Sequence, residues 1–249
     1  MPRLLPLGDA AWTVEFGDAI DPALHARVMG FARALEEAAL PAVVESVPTF
    51  RSCTVHFDPL AEGADVLGDR LLELAASAPE AAIAGRRWRI PVLFGGEAGP
   101  DLAALAANCA LTEEAVVARL CATAFRVYML GFMPGFPFMG DLPERLRLPR
   151  RTEPRVRVPA GSVAIAGGLT AIYPWESPGG WHLLGRCPVR LFDAAGASPS
   201  LLAVGDRVRF QPVPMAEFRR LQAAVQAREI DPACWLAPVP AAAALAGGR

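Results

Sequence analysis

The feature that most constrains this chain is a change of pattern near residue 94. Before it, short alternating apolar runs are separated by two longer runs at helical spacing. Beyond about residue 125, proline and glycine break the sequence every few residues. Ala10–Phe16 alternates as a strand. Asp21-Pro22 offers an N-cap and a helix-starting proline for an amphipathic stretch to about Leu40. Ala42–Val47 and Arg51–Phe57 read as strands joined at Pro48-Thr49-Phe50, a second helix runs from about Ala64 to Ala78, and Arg87–Phe94 is another strand. The order β-α-β-β-α-β is the ferredoxin-like signature, and it predicts an α+β domain over residues 1–85 with its sixth element at the boundary.

The rest predicts a mainly-β barrel over residues 86–235, followed by a flexible Ala/Pro/Gly tail over 236–249. Two short helices, Asp101–Ala110 and Thr112–Thr123, begin on the N-cap residues Asp101 and Thr112. Ser162–Tyr173 reads as a hairpin turning at Gly167-Gly168. Val189–Asp193 and Asp206–Val213 are further strands, before a helix near Met215–Arg228.

Composition removes several chemistries. All 24 basic residues are arginine, so there is no Walker A lysine, Schiff-base lysine or biotinyl-lysine. A formal charge of −2 argues against a nucleic-acid binder. Five cysteines without CxxC spacing fit reduced thiols rather than disulfides or zinc. The N-terminus is charged too early for a signal peptide, and the uncharged run from Val158 to Trp175 is too rich in proline and glycine to span a membrane. These readings predict a soluble, cytoplasmic protein.

Three segments could carry chemistry. Gly131–Gly140 combines stiff prolines, permissive glycines and aromatic surface, a loop able to offer backbone N–H groups to a ligand or simply to pack. Arg145–Arg157 holds six arginines, suited to carboxylate or phosphate, or to acids elsewhere in the fold. Pro174–His182 places a hydroxyl, a carboxylate and an imidazole between two tryptophans. No nucleophile elbow surrounds Ser177, so a ligand-lining loop turning at Pro178-Gly179-Gly180 is the better reading than a Ser177–His182 pair. The aromatic residues Phe132, Phe136, Phe138, Trp175 and Trp181 predict a partner-binding patch.

Gly131-Phe-x-Pro-Gly-Phe136, Pro149-Arg-Arg-x-x-Pro-Arg155, Val158-Pro-Ala-Gly-Ser-Val163, Ala166-Gly-Gly168, Ile172-Tyr-Pro174 and Ser177-Pro-Gly-Gly-Trp181 stand in the order of one family. Val47-Pro-x-x-Arg-Ser52 and Phe57-Asp-Pro59 fit it too. The chain resembles the 5-oxoprolinase B-subunit family (PxpB), also called the KipI or allophanate hydrolase subunit 1 family.

The resemblance implies an N-terminal α/β domain and a cyclophilin-like barrel. It further implies one member of a hydrolase complex that opens 5-oxo-L-proline to L-glutamate with ATP and Mg²⁺ shared among its subunits. The chain would work with the cyclophilin-like C subunit and with the A subunit, and hold no tight cofactor of its own. Other family members imply a histidine-kinase inhibitor or half of a carboxyltransferase acting on urea. Substrate- or phosphate-binding candidates are Arg150, Arg151, Arg155, Gly135, Ser162, Gly167, Gly168, Glu176, Gly179, Gly180 and Trp181. No catalytic residue or metal ligand is named. Arg155, pinned between Pro154 and the following strand, is the arginine expected to grip a substrate carboxylate or a partner's acid. Leu120, Phe125, Leu169 and Cys187 depart from the family's frequent His, Tyr, Gln and Thr, which weakens any catalytic role at those positions.

Overall fold

A computed structural model describes residues 1–81, 84–196 and 198–238. The chain divides into two compact units, Met1–Ile83 and Ala84–Arg249.

In the first unit, strands β1 (Arg3–Pro6), β2 (Ala11–Glu15), β3 (Val43–Pro48) and β4 (Ser52–Phe57) form an antiparallel sheet in the order β1-β2-β4-β3. Helices α1 (Pro22–Ala38) and α2 (Leu67–Ser77) bury Val28, Phe31, Leu35, Leu67 and Leu71 against Val14 and Val55 of the sheet. Asp21 caps α1 as expected, its carboxylate accepting from the N–H groups of Ala23 and Leu24. The predicted sixth element departs from the ferredoxin-like order. Arg87–Phe94 is β5 and pairs within the second unit, while β1 fills the sheet edge beside β2. β1 is short and bounded by prolines, which an edge strand tolerates and a periodicity search passes over.

The second unit is a closed seven-stranded barrel. It is built from β5, β6 (Phe125–Leu130), β7 (Pro137–Gly140), β9 (Ser162–Ala166), β10 (Leu169–Ile172), β12 (His182–Arg186) and β13 (Arg207–Pro212). The order is β10-β7-β6-β13-β5-β12-β9, closed by β9 against β10. β5 and β13 are parallel and the other pairs antiparallel. Helices α3 (Leu102–Asn108) and α4 (Glu113–Ala122) add Leu102, Leu105, Val116 and Leu120 to the barrel core. α5 (Met215–Gln226) follows β13, and a ribbon of β8 (Arg155–Val158) and β11 (Ser177–Gly179) stands beside the barrel.

Buried Asp206 fastens the start of β13. It accepts from the Arg86 N–H at 2.8 Å, Trp88 Nε1 at 2.8 Å and the Ala203 N–H at 3.0 Å, and pairs with the Arg86 guanidinium at 3.1 Å.

Two expectations fail here. Val189–Asp193 is not a strand; its one bridge is Phe192 to Ser200, because its backbone is spent on the loop, Leu201 N–H to Leu191 O and Asp193 N–H to Pro199 O. Leu236 and Ala237, assigned to the tail, pair instead with β5 through a Trp88–Leu236 bridge and an Ala237 N–H bond to Arg87 O of 2.8 Å. The remainder of the predicted tail, 239–249, lies outside the described residues. Among the described residues, no helix is long and apolar enough to cross a membrane.

Candidate functional site

A strand on a barrel wall normally buries alternate residues, yet all five residues of β9 are buried. Val163 and Ile165 face the barrel core, while Ala164 and Ala166, with Ala171 of β10, face outward into a second cluster containing Phe136, Tyr173, Trp181 and Leu183. Small residues on the outer face leave room for rings. Phe136 sits at the centre, its ring centroid 5.2 Å from Tyr173, 4.8 Å from Phe138 and 6.1 Å from Trp181, edge-on to Tyr173 and Trp181. Of the five aromatics predicted to form a partner patch, Phe136 and Trp181 are therefore buried in their own fold; Phe132 and Trp175 remain exposed. The Gly131–Gly140 loop also spends N–H groups internally, with Met133 donating to Gly131 and Phe136 to Met133.

Beside this cluster lies a charged hub. Asp101 occupies the N-cap position of α3 but its side chain caps nothing. The buried carboxylate instead accepts from Arg155 Nη2 at 2.8 Å, Arg151 Nη1 at 3.2 Å and the Leu183 N–H at 2.7 Å. Burial pushes its carboxyl up; the Arg155 and Leu183 hydrogen bonds and both arginine charges outweigh that and hold it below the usual range. Arg155 Nη1 is buried with no hydrogen-bond partner.

Arg150, Phe132, Phe136, Tyr173, Gly179 and Trp181 line a cleft of about 130 Å³. Burial raises the Tyr173 phenol above its ordinary range, with the charges of Arg150 and Arg155 acting in the opposite direction. The phenol is thus protonated at neutral pH and can donate. Its hydroxyl has no hydrogen-bond partner among the described residues. A Cβ at Gly179 would collide with that hydroxyl, so glycine is what lets the backbone of β11 close the cleft. Arg150 also borders a hollow of about 350 Å³ lined by Asn108, Arg151, Glu153 and His182. Another hollow of about 320 Å³, near Leu40 and Val66 in the first unit, is mostly apolar, and its Arg70 is paired with Glu73 at 2.8 Å.

The cleft gathers Arg150, Gly179, Gly180 and Trp181 of the predicted residues, while Arg151 and Arg155 meet at Asp101 and are not among its lining residues. The others lie elsewhere. Gly135 turns against Leu191 and Phe192, and Ser162 is buried in β9. Gly167 and Gly168 form the predicted hairpin turn, at φ +57° and +89°, with the Gly167 N–H on Leu148 O. Glu176 is exposed and held bidentately by Arg157, both bonds 2.9 Å. Ser177 and His182 bond to the backbone of Pro178 and Pro149, not to each other. Sequence reasoning missed Asp101 as a partner and Tyr173 as a donor. Six arginines downstream of a predicted N-cap aspartate were the available signal for Asp101.

Residues 2–202 match the family model described as carboxyltransferase domain, subdomain C and D. The 5-oxoprolinase B subunit of Escherichia coli O157:H7 is 42% identical over 215 residues, covering 84% of this chain and 95% of that protein. The chain belongs to the 5-oxoprolinase B-subunit family. A solved structure, TTHA0988, is 38% identical with a TM-score of 0.70 over 86% of this chain, which spans 40% of that longer chain. The K. lactis urea amidolyase shares the fold, with a TM-score of 0.78 at 22% identity over 90% of this chain and 15% of its own. Against the family pattern, Leu120 is fully buried in the barrel core. The buried Cys187 thiol is pushed up to about 12, so it is no nucleophile, and Leu169 packs against the aromatic cluster.

Proposed function

We propose that this chain is one component of an ATP-dependent 5-oxoprolinase, opening 5-oxo-L-proline to L-glutamate together with the A and C subunits. The observation that carries the reading is the Arg155 guanidinium, anchored at one end by Asp101 and buried without a partner at the other, within electrostatic reach of Tyr173. A substrate carboxylate pairs with Arg150, which lines the cleft, and the nearby Arg155 charge adds to the attraction. The lactam ring lies against Phe136 and Trp181. The Tyr173 hydroxyl donates to the lactam oxygen, where negative charge develops as the amide is attacked.

The residues lining the cleft include no carboxylate that would hold Mg²⁺, and the chain has no lysine or phosphate loop. The reading therefore puts the nucleotide and its metal outside the cleft, with a partner protein supplying the metal's ligands. The test compares 5-oxoproline with 2-pyrrolidinone, the same lactam without the carboxylate, as substrates of the assembled complex. The reading predicts turnover of the first only; comparable turnover of both would remove the arginines from substrate recognition.

One observation favours a second reading, half of a biotin-dependent carboxyltransferase: the family model matched by residues 2–202 is described as a carboxyltransferase domain. Carboxyl transfer from carboxybiotin to urea, assayed with a biotin-carboxylase partner, separates the two.

A further inference from the structure

The second unit carries another arginine cluster, away from the cleft. The parallel register of β5 and β13 sets Arg207 opposite Arg87 and Arg209 opposite Arg89, and on the far side of β13 Arg126 of β6 stands opposite Arg207. Opposed residues share a face, and like charges so placed repel. The intervening Trp88, Ile90, Val208 and Phe210 belong to the barrel core, so the arginines form the outer face. Strands are about 4.8 Å apart and alternate residues about 6.6 Å along each strand, so four guanidinium stems rise from a rectangle of roughly 5 by 7 Å.

Little in the described fold neutralises them. Arg87, Arg89 and Arg209 are exposed and carry no side-chain hydrogen bond or ion pair among the described residues. Arg207 reaches Asp141 at 3.0 Å, and Arg126 Nε is buried with no hydrogen-bond partner. Arg87, Arg89, Arg207 and Arg209 line one hollow of about 360 Å³, walled by Ala124 and Ala237-Pro238, and no carboxylate is among its lining residues.

We propose that this hollow binds a polyphosphate chain, either inorganic triphosphate or the triphosphate of a nucleotide. Guanidinium forks match phosphate oxygens bidentately. One phosphoryl group engages one cross-strand pair, whereas a chain of them engages both rows, which favours a multivalent anion over a single phosphate. The concave shape and small volume favour a compact anion over an acidic protein surface. In the barrel order, β13 stands three strands from both β9 and β10, the strands beneath the cleft, so the site is separate from the cleft; its nucleotide form rests on the ATP-dependent reading above and its inorganic triphosphate form does not.

Isothermal titration of the full chain at low salt tests this with inorganic triphosphate, ATP, adenosine and a polyglutamate peptide. Triphosphate and ATP are expected to bind one per chain, more weakly as salt rises, and adenosine not at all. ATP much tighter than triphosphate identifies the nucleotide as the source, and equal affinity identifies the phosphate chain alone. The double variant Arg89→Ala/Arg209→Ala should weaken both by about tenfold or more, and Arg33→Ala, a surface arginine of α1 paired with Glu37, should leave both unchanged. Arg89→Gln alone serves if the double variant does not fold. Absent binding of both phosphates, undiminished binding by the variants, or polyglutamate binding tighter than triphosphate would overturn the proposal.

Discussion

Arg155 gives one arm of its guanidinium to Asp101 Oδ1 at 2.8 Å and keeps the other, Nη1, buried without a partner. Asp101 in turn holds Arg151 and the Leu183 N–H, so one carboxylate joins the start of α3, the arginine segment and β12. Both arginines sit on Oδ1 and the Leu183 N–H holds Oδ2, so the shared acid fixes where the free arm lies.

That junction sets a pH dependence. The Asp101 carboxyl is held below its ordinary value, so its contribution to stability is present above the unfolded-state pKa, about 3.9, and is lost as pH falls through the lower folded value. Asp101→Asn should cost about 2–3 kcal/mol at pH 7 and much less near pH 2. Urea unfolding of both proteins at the two pH values measures this; equal stability at pH 7 would refute it.

Arg155→Lys keeps the charge and loses the fork. It should cost about 1–3 kcal/mol in transition-state binding, read as a fall in kcat/KM for 5-oxoproline in the assembled complex. Arg147 is exposed, with one bond of 3.3 Å to Leu142 O, and Arg147→Lys should stay within about 0.5 kcal/mol. Indistinguishable kinetics for the two variants would take Arg155 out of the site.

Tyr173→Phe preserves the ring packing on Phe136 and deletes the donor. Turnover should fall by about tenfold or more, while Tm moves little. Gly179→Ala places a methyl against the same hydroxyl and should impair turnover even though Tyr173 is intact. Wild-type turnover in both would show that the phenol does not act.

Asp206→Ala strands the Trp88 Nε1–H and the Ala203 and Arg86 N–H groups. The cost should be about 3 kcal/mol or more, a fall in Tm of roughly 6–12 °C by calorimetry. A fall below about 2 °C would mean that water replaces the carboxylate at little cost.

The helices and the Gly167-Gly168 hairpin were legible because each is written locally, in an N-cap such as Asp21 or Thr112, a 3.6-residue stripe, or a two-glycine turn. The partner of Arg87–Phe94 was not. Apolar alternation marks a strand without naming its neighbour, and β5 finds β13 more than a hundred residues away. Asp101 read as a cap for the same reason: nothing near it in sequence shows that Arg155 and Leu183 compete for its oxygens. That Arg150, Gly179, Gly180 and Trp181 line one cleft was legible in part, because loop chemistry and family motif coincide there. The pairing of Glu176 with Arg157 was not legible, because it lies across a ribbon the sequence does not reveal.

The central claim, that this chain is a necessary part of an ATP-dependent 5-oxoprolinase, is tested most directly by 5-oxoproline-dependent ADP release. The chain is assayed alone, with the A and C subunits, and with each of the three proteins omitted in turn. The account predicts no substrate-dependent ADP from the chain alone and release only when all three are present. Release by the other two without this chain, or by this chain unaided, would contradict it.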